Sequence, residues 1–247
     1  MGTDGAPRPF VDPLLGIVFD LDGTLVESRH DFRRMRHEVV RIAEAHGVVP
    51  GHLSASQPIV RILEAAHEEL ERAGVPEGEI FRMDAEANRT IDAIELEALP
   101  RTVARAGAAE LLTALDERGY RLGLLTRSSE TFSRAALERT GLLDRFDHLR
   151  TRSAPGPAKP SPEALLSVLA ALEVPGSRAL FVGDHLLDAE CAQRAGIRFV
   201  AVGAEPPDPD LTEDRFRTAG AIAVAPDLWA LAAMLGIALP RPPAAVG

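Results

Sequence analysis

Short apolar runs alternate with helical patterns along most of this chain, and that alternation restricts the possible folds more than any other feature. The apolar runs are bounded by turn residues and have the length of buried strands. We predict strands at Leu14–Phe19, Leu122–Leu125, Ala179–Val182, Phe199–Val202 and Ala221–Ala225, with a weaker one near His148–Thr151. We predict helices at Ala106–Arg118, Glu130–Arg139, Pro162–Leu172, Asp188–Ala195 and Asp227–Leu235. This order indicates an α/β fold, a three-layer sandwich with a central parallel sheet.

One region interrupts the alternation, because no convincing strand pattern lies between about Ser28 and Leu99. Four apolar residues and a histidine recur there at three- and four-residue steps, at Phe32, Met35, Val39, Ile42 and His46, which is typical of an amphipathic helix. We predict helices at Asp31–His46, Pro58–Ala73 and Glu79–Leu99. An all-helical stretch between the first two strands indicates an inserted domain. We therefore expect a loose tail at 1–12, an α/β core formed by 13–27 and 100–237, a helical domain at 28–99 and a second tail at 238–247.

Composition narrows the function classes. The formal net charge of −10 argues against broad nucleic-acid binding, which needs a basic surface. The single cysteine, Cys191, allows neither an intrachain disulfide nor a cysteine-based zinc site. No apolar run reaches the roughly 20 residues that a membrane span needs, and the first ten residues lack a signal pattern. We expect a cytoplasmic protein without nucleic-acid or membrane partners, and its oligomeric state stays open.

Four polar features follow predicted strands or precede a predicted helix. Ligands of a parallel sheet bind at the carboxyl ends of its strands, so these positions are candidates for a site. The features are Asp20 and Asp22 in VFDLDGTLVES, Thr126 in LLTRSS, Lys159 in AKPSPEAL, and Asp184 with Asp188 in FVGDHLLD. Lys159 is the only lysine among 27 lysine and arginine residues.

Each feature also has an ordinary structural interpretation. Asp22 is a possible turn residue beside Gly23, Thr126 and Asp188 are possible helix caps, and Lys159 is a possible solvated loop charge. Asp20 and Asp22 favour a functional interpretation even alone, because two neighbouring carboxylates repel each other unless a cation joins them. Four such features in order, each near a strand end, favour one shared site.

The quoted motifs resemble, in order, the four motifs of the haloacid dehalogenase superfamily. The segments concerned are DLDGTLVES, LLTRSS, KPSPEAL and VGDHLLDAECAQRAG, and the similarity runs from about Leu14 to Gly203. The resemblance implies a Rossmann-like core, and it implies that the helical insert at 28–99 is a cap domain placed after the first motif.

The resemblance also implies a reaction. Asp20 would be the nucleophile, forming an aspartyl-phosphate. Asp22 would protonate the leaving group and then take a proton from the attacking water. The implied cofactor is Mg²⁺, which prefers oxygen ligands, here from Asp20, Asp184 and the backbone carbonyl of Asp22.

Four further residues complete the implied site. Thr126, Arg127 and Lys159 are the predicted substrate-binding residues, with Thr126 and Lys159 also counted as catalytic. Asp188 would orient Lys159. An ammonium group is a compact point charge, whereas a guanidinium is a planar fork, which gives a reason for an arginine-rich chain to keep a lysine here.

These residues favour a Mg²⁺-dependent phosphatase acting on a small phosphorylated metabolite. A phosphomutase acting on a sugar phosphate would use the same residues and stays open as an alternative. A dehalogenase needs no second carboxylate, so Asp22 counts against it. A catalytically silent binding protein is the third alternative, although every motif position is filled. The sequence assigns no role to His185 or to Arg29, Arg33, Arg34 and Arg36 of the insert.

Overall fold

The structure, a computed structural model, describes residues 13–203 and 210–240. Its strands are β1 (Gly16–Phe19), β2 (Val26–Glu27), β3 (Val103–Ala104), β4 (Arg121–Leu125), β5 (His148–Arg150), β6 (Ala179–Gly183), β7 (Arg198–Val202) and β8 (Ala223–Ala225). Its helices are α1 (Phe32–Ala45), α2 (Ile59–Arg72), α3 (Glu77–Ala98), α4 (Ala108–Asp116), α5 (Glu130–Thr140), α6 (Pro162–Ala171), α7 (Leu186–Ala195), α8 (Glu213–Thr218) and α9 (Leu228–Met234). None of the described helices combines the length and the apolar character required to cross a membrane.

Six of the described strands form one sheet in the order β5-β4-β1-β6-β7-β8, and every neighbouring pair is parallel. This arrangement confirms the predicted α/β class with a central parallel sheet flanked by helices. The strand order places β1 between β4 and β6. The carboxyl ends of these three strands therefore lie side by side, which brings their following loops together.

The central strands are apolar on both faces. Val18 packs in a buried cluster with residues of α6 and α7. Ile17 and Phe19 point to the opposite face because side chains alternate along a strand, and both are fully buried. A strand that is covered on both faces has a continuous apolar sequence, which explains why the short run in β1 was recognisable.

The chain divides into two compact units, one of them formed by 29–101 and the other by the residues before and after it. Within 29–101, helices α1, α2 and α3 share a buried core that includes Met35, Val39, Ile42 and Met83. Phe32, which the predicted apolar stripe included, is 47% exposed at the first position of α1. The identification of 28–99 as a cap domain stays a prediction.

Two features of the fold were not predicted. Strands β2 and β3 form a short antiparallel ribbon, and α8 follows residue 210.

Helix α7 begins at Leu186, two residues before its predicted start, because His185 caps it: the backbone N–H of Leu187 donates to His185 Nδ1 over 3.1 Å. The predicted tail 1–12 lies outside the described residues, as does 241–247 of the predicted tail 238–247.

Candidate active site

The predicted site residues lie at adjacent strand ends. Asp20 directly follows β1, and its backbone N–H donates to the carbonyl of Val182 in β6 over 2.8 Å. Thr126 directly follows β4, and Asp184 directly follows β6. Lys159 approaches from the loop between β5 and α6. The topology of the sheet thus brings residues that are far apart in sequence to one edge.

Lys159 joins two of the carboxylates. Its Nζ lies 2.5 Å from Asp20 Oδ1 and 2.7 Å from Asp188 Oδ1. Lys159 is 3% exposed and Asp188 is 1% exposed, so these ion pairs are shielded from water. The same Nζ lies 5.7 Å from the centroid of the Phe181 ring, within cation–π range. The proposed nucleophile and the predicted orienting residue are therefore held by one cation.

Burial sets the proton affinities of these groups. Burial raises the pKa of Asp20 to about 7, although Lys159 acts to lower it. Burial alone would lower the pKa of Lys159, but the charges of Asp188 and Asp20 outweigh it and the pKa lies above its ordinary value. Burial also raises the pKa of Asp184 well above its ordinary value, and the nearby charges of Asp20 and Asp188 add to this effect. Crowded buried carboxylates of this kind favour a bound cation.

Asp184 is fixed by the loop that follows the nucleophile. The hydroxyl of Thr24 donates to Asp184 Oδ1 over 2.7 Å. Gly23 has a φ of 82°, and a Cβ atom added to it would lie 2.2 Å from Asp184 Oδ2. Only glycine fits both the backbone conformation and this close approach. Within the described residues, Asp184 forms no salt bridge, so its charge is left for another cation.

Asp22 lies on the turn between Asp20 and β2. Its Oδ1 accepts a hydrogen bond from the backbone N–H of Ser28 over 3.0 Å, and its side chain is half-buried. The turn is closed by the backbone N–H of Gly23, which donates to Val26 over 2.8 Å. The carboxylate of Asp22 thus has a defined position two residues after the proposed nucleophile.

The carboxylates suit a divalent metal ion. One oxygen from each of Asp20, Asp184 and Asp188 lies within 4.8 Å of the others. Both oxygens of Asp188 already have partners, since Lys159 donates to Oδ1 and the backbone N–H of His185 donates to Oδ2 over 3.1 Å. Asp20 and Asp184 are then the carboxylates that fit a metal, and hard oxygen ligands are those that Mg²⁺ prefers.

Thr126 and Arg127 are placed by backbone contacts. The backbone N–H of Thr126 donates to Arg150 over 3.0 Å, and its Oγ1 accepts from the backbone N–H of Ser128 over 3.1 Å. The guanidinium Nη1 of Arg127 donates to the backbone carbonyl of Lys159. The predicted phosphate contacts of Thr126 and Arg127 stay predictions.

Two residues that contribute contacts to the site were not predicted from the sequence. Thr24 follows Asp22 and Gly23 directly, so its position in the motif was a usable signal. Arg105 gave no signal, yet it is buried and donates to the backbone carbonyls of Gly23 and Gly203, the latter over 2.8 Å. A guanidinium that binds backbone carbonyls leaves no pattern in the sequence.

Two arginines of the helical insert are engaged within their own unit. Arg34 pairs with Glu97 at 2.6 Å, and Arg36 Nε donates to the carbonyl of Ala55 over 2.9 Å. Both contacts join residues of the helical unit.

A parallel sheet with a buried carboxylate–lysine cluster at its carboxyl edge defines an α/β enzyme site that is suited to an anionic substrate and a divalent cation. The sequence model for haloacid dehalogenase-like hydrolases matches residues 14–196, and the chain belongs to this family.

Curated relatives carry phosphatase names. A phosphoglycolate phosphatase from Cereibacter sphaeroides is 34% identical over 196 residues, which cover 74% of this chain and 83% of that protein. An N-acetylmuramic acid 6-phosphate phosphatase from Pseudomonas aeruginosa is 30% identical over 199 residues, which cover 76% of this chain and 81% of that protein. The similarity extends over most of the length of both proteins.

Solved structures show the same fold. A hydrolase from Pseudomonas syringae has a TM-score of 0.63 at 21% identity, and the match covers 90% of this chain and 98% of that one. CbbY from Rhodobacter sphaeroides, solved in complex with phosphate, has a TM-score of 0.59 at 24% identity, with 91% of this chain and 100% of that one covered.

Proposed function

We propose that this chain, a hydrolase of the phosphatase class, is a Mg²⁺-dependent enzyme that removes the phosphoryl group from a small phosphorylated metabolite. The observation that carries the proposal is the lysine bridge: Lys159 Nζ contacts Asp20 and Asp188 beside Asp184, whose carboxylate forms no salt bridge within residues 13–203 and 210–240. A carboxylate with a cation at its side is suited to attack an anionic phosphoryl group, because the cation reduces their repulsion.

Asp20 is the proposed nucleophile. One of its oxygens attacks phosphorus while the bond to the leaving alkoxide breaks, which gives an aspartyl-phosphate on Asp20. Because this residue becomes covalently occupied, a second group must handle the protons. Asp22, two residues further along the chain, first donates a proton to the alkoxide. It then takes a proton from the water that hydrolyses the aspartyl-phosphate.

Asp20 and Asp184 would hold the Mg²⁺ ion, with the backbone carbonyl of Asp22 as a third protein ligand by resemblance to the family. When bound, the ion would neutralise negative charge on the phosphoryl oxygens. Thr24 fixes Asp184 by its hydrogen bond, and Asp188 fixes Lys159. Thr126 and Lys159 would hold phosphoryl oxygens, with the hydroxyl of Thr126 donating.

The relatives suggest which substrates to test first. Proteins named for phosphoglycolate and for N-acetylmuramic acid 6-phosphate share 34% and 30% identity with this chain. Both names denote small phosphorylated acids, so we propose a small anionic phosphomonoester as substrate. A cytoplasmic location and the absence of nucleic-acid and membrane partners stay predictions.

The helical insert is proposed to be a cap that selects the substrate. It follows directly after the loop that carries Asp20 and Asp22, and the proposed catalytic residues all lie outside it. Replacing residues 33–95 with a short linker should lower the discrimination between small esters and a phosphopeptide, measured as the ratio of kcat/KM values. Unchanged discrimination by a folded truncated protein would contradict the cap assignment.

A phosphate-release assay tests the reaction. The purified protein is incubated with Mg²⁺ and a panel that includes 2-phosphoglycolate, N-acetylmuramic acid 6-phosphate and p-nitrophenyl phosphate. Asp20→Asn should abolish release, because the amide is not a nucleophile of comparable strength. Asp116→Asn is the matched control, since Asp116 pairs with Arg145 on the surface at 3.4 Å and should leave release unchanged.

The same experiment separates the alternatives. Release that survives in Asp20→Asn would refute the proposed nucleophile. A phosphomutase would convert a sugar phosphate into an isomer with little free phosphate, which product analysis detects. A catalytically silent protein would show no turnover with any ester.

A further inference from the structure

The loop that delivers Lys159 to the site has no regular secondary structure. Strand β5 ends at Arg150 and α6 begins at Pro162, so residues 151–161 form the connection. Lys159 nevertheless reaches two carboxylates at 2.5 and 2.7 Å and is 3% exposed. Because a loop loses conformational entropy when it is fixed, contacts outside the ion pairs must hold this backbone.

Arginine side chains hold the loop by its backbone carbonyls. Arg150 Nη2 donates to Pro155 over 2.9 Å and to Pro157 over 3.1 Å. Arg127 Nη1 donates to the carbonyl of Lys159 itself. Hydrogen bonds from a charged donor are stronger than neutral ones, so a guanidinium is suited to fix a bare carbonyl.

The beginning of the same loop contacts Arg127 and its neighbour. Arg152 Nη1 donates to the carbonyl of Arg127 over 2.8 Å, and the backbone N–H of Arg152 donates to Ser128 over 3.0 Å. Arg127 follows Thr126 at the end of β4, which is an inner strand of the sheet. The contact between Arg127 and Lys159 therefore connects the loop to a rigid part of the fold.

We propose that Arg127 is a positioning residue: by holding the backbone carbonyl of Lys159, it fixes the ammonium group between Asp20 and Asp188. The catalytic consequence rests on the proposed phosphatase function, whereas the positioning itself does not. The sequence predicted that Arg127 binds substrate, and a substrate-binding role and a positioning role lead to different experimental results. A substrate contact acts on the ligand, whereas a positioning contact acts on Lys159 in the free protein.

The position of the Lys159 side chain can be measured directly by NMR. Lys159 is the only lysine, so protein labelled with ¹³C at lysine Cε gives one side-chain correlation in an NMR spectrum. The ring of Phe181, 5.7 Å from Nζ, makes that signal sensitive to small displacements of the ammonium group. The signal of urea-unfolded protein provides the reference for an unrestrained lysine.

In Arg127→Gln the Lys159 signal should shift toward the unfolded reference in buffer containing Mg²⁺ and no ester. The matched control is Arg178→Gln, which removes a 2.9 Å contact from a guanidinium to the carbonyl of Pro13 at the opposite end of the sheet. This variant should leave the signal in place. An unchanged Lys159 signal in folded Arg127→Gln would overturn the proposal, whatever the activity of the enzyme.

Kinetics with p-nitrophenyl phosphate or a better ester provides a second measurement. Arg127→Gln should lower kcat by about 10- to 100-fold with little change in KM, as expected when a catalytic group is displaced by up to an ångström. Arg127→Lys keeps a charged donor and should recover part of kcat. A rise in KM with kcat unchanged would indicate a substrate contact and would overturn the proposal.

The two proposals fail in different ways. If the wild-type protein releases no phosphate from any ester, the proposed function fails, and the lysine signal still decides whether Arg127 positions Lys159. If Arg127→Gln does not fold, Arg127→Lys decides, because it retains a donor: folded Arg127→Lys with a lowered kcat and an unchanged KM supports positioning, and wild-type values of both contradict it. Folded Arg127→Lys with raised KM and unchanged kcat contradicts it.

Discussion

Replacing Lys159 by methionine removes the cation at the centre of the site while keeping a side chain of similar length. Lys159 and Asp188 are 3% and 1% exposed, and Asp20 is 7% exposed. The variant therefore leaves two buried carboxylates without the ammonium group that contacts both. Both carboxylates are buried, so the change acts on the folded state.

The expected loss of stability is large. Removing one partner of a buried ion pair costs about 3–5 kcal/mol, because the remaining charge stays buried. For a chain of this size, each kcal/mol changes Tm by about 2–4 °C, so Lys159→Met should lower Tm by roughly 6–20 °C at pH 8. The exposed pair between Arg121 and Asp147 provides the control, with side chains 54% and 34% exposed. Arg121→Met should cost about 0–1 kcal/mol.

The pH dependence of this loss follows from the protonation states. In the unfolded chain, Asp20 ionises near the ordinary aspartate pKa of about 4. Burial raises the pKa of Asp20 in the folded protein, and Lys159→Met removes the cation that acts to lower it. Between these values the folded state binds more protons than the unfolded state, so the free energy of unfolding falls as the pH rises. The destabilisation should therefore be smaller at pH 5 than at pH 8.

Differential scanning fluorimetry in metal-free buffer measures both effects. Adding Asp188→Asn to Lys159→Met removes one unpaired charge and should recover part of the lost Tm. Together with Asp188→Asn alone, these variants give the coupling by a double-mutant cycle. A Tm for Lys159→Met equal to that of the wild type at pH 8 would refute the reasoning. Equal losses at pH 5 and pH 8 would show that the carboxylates do not carry the effect.

Three further predictions test separate parts of the site. Gly23→Ala should abolish activity and lower the free energy of unfolding by about 1–3 kcal/mol, because it places a Cβ atom 2.2 Å from Asp184 at a residue with a positive φ. Gly119→Ala, at a residue with a similar φ and open space around it, should keep activity, and equal losses of activity in the two variants would contradict this reasoning. Mg²⁺ should raise Tm more at pH 8 than at pH 5.5, because burial raises the pKa of Asp20 to about 7 and the proton must leave before a metal binds. Equal Tm shifts at the two pH values, measured by fluorimetry, would argue against Asp20 as a ligand. Cys191, whose pKa burial raises to about 12, should react with a disulfide reagent at pH 8 much more slowly in the native protein than in urea, and equal rates would refute its burial.

The sequence predicted those parts of the fold that rest on long apolar patterns. Strand β1 is covered on both faces and so reads as a continuous apolar run, and the ends of β1, β4 and β6 placed Asp20, Thr126 and Asp184 at one edge. Strands β2 and β3 have two residues each, which is too short for any periodic pattern. Helix α8 has six residues and buries only Phe216 among them, so it left no amphipathic pattern either.

The contacts of Arg105 and Arg127 also could not be predicted from the sequence, and the reason is a different one. A carboxylate at a strand end has few possible partners, and the resemblance of KPSPEAL to a family motif made Lys159 a candidate partner. A guanidinium on a long side chain can reach many carbonyls, and its choice depends on the path of the backbone around it. Arg105 and Arg127 both bind carbonyls of loops that contain site residues, and only the folded backbone determines which ones.

The two kinds of cation in this site have different tasks, and their chemistry explains the division. Arg105 and Arg127 donate to backbone carbonyls, where a planar fork with several donors can hold the chain in place. Lys159 has to contact two carboxylates from one point, and a compact ammonium group directs its three donors around a single nitrogen. Its one nitrogen lies 2.5 Å from Asp20 Oδ1 and 2.7 Å from Asp188 Oδ1. The chain, in which 26 of the 27 lysine and arginine residues are arginine, therefore has its one lysine at the position where a single nitrogen contacts two carboxylates.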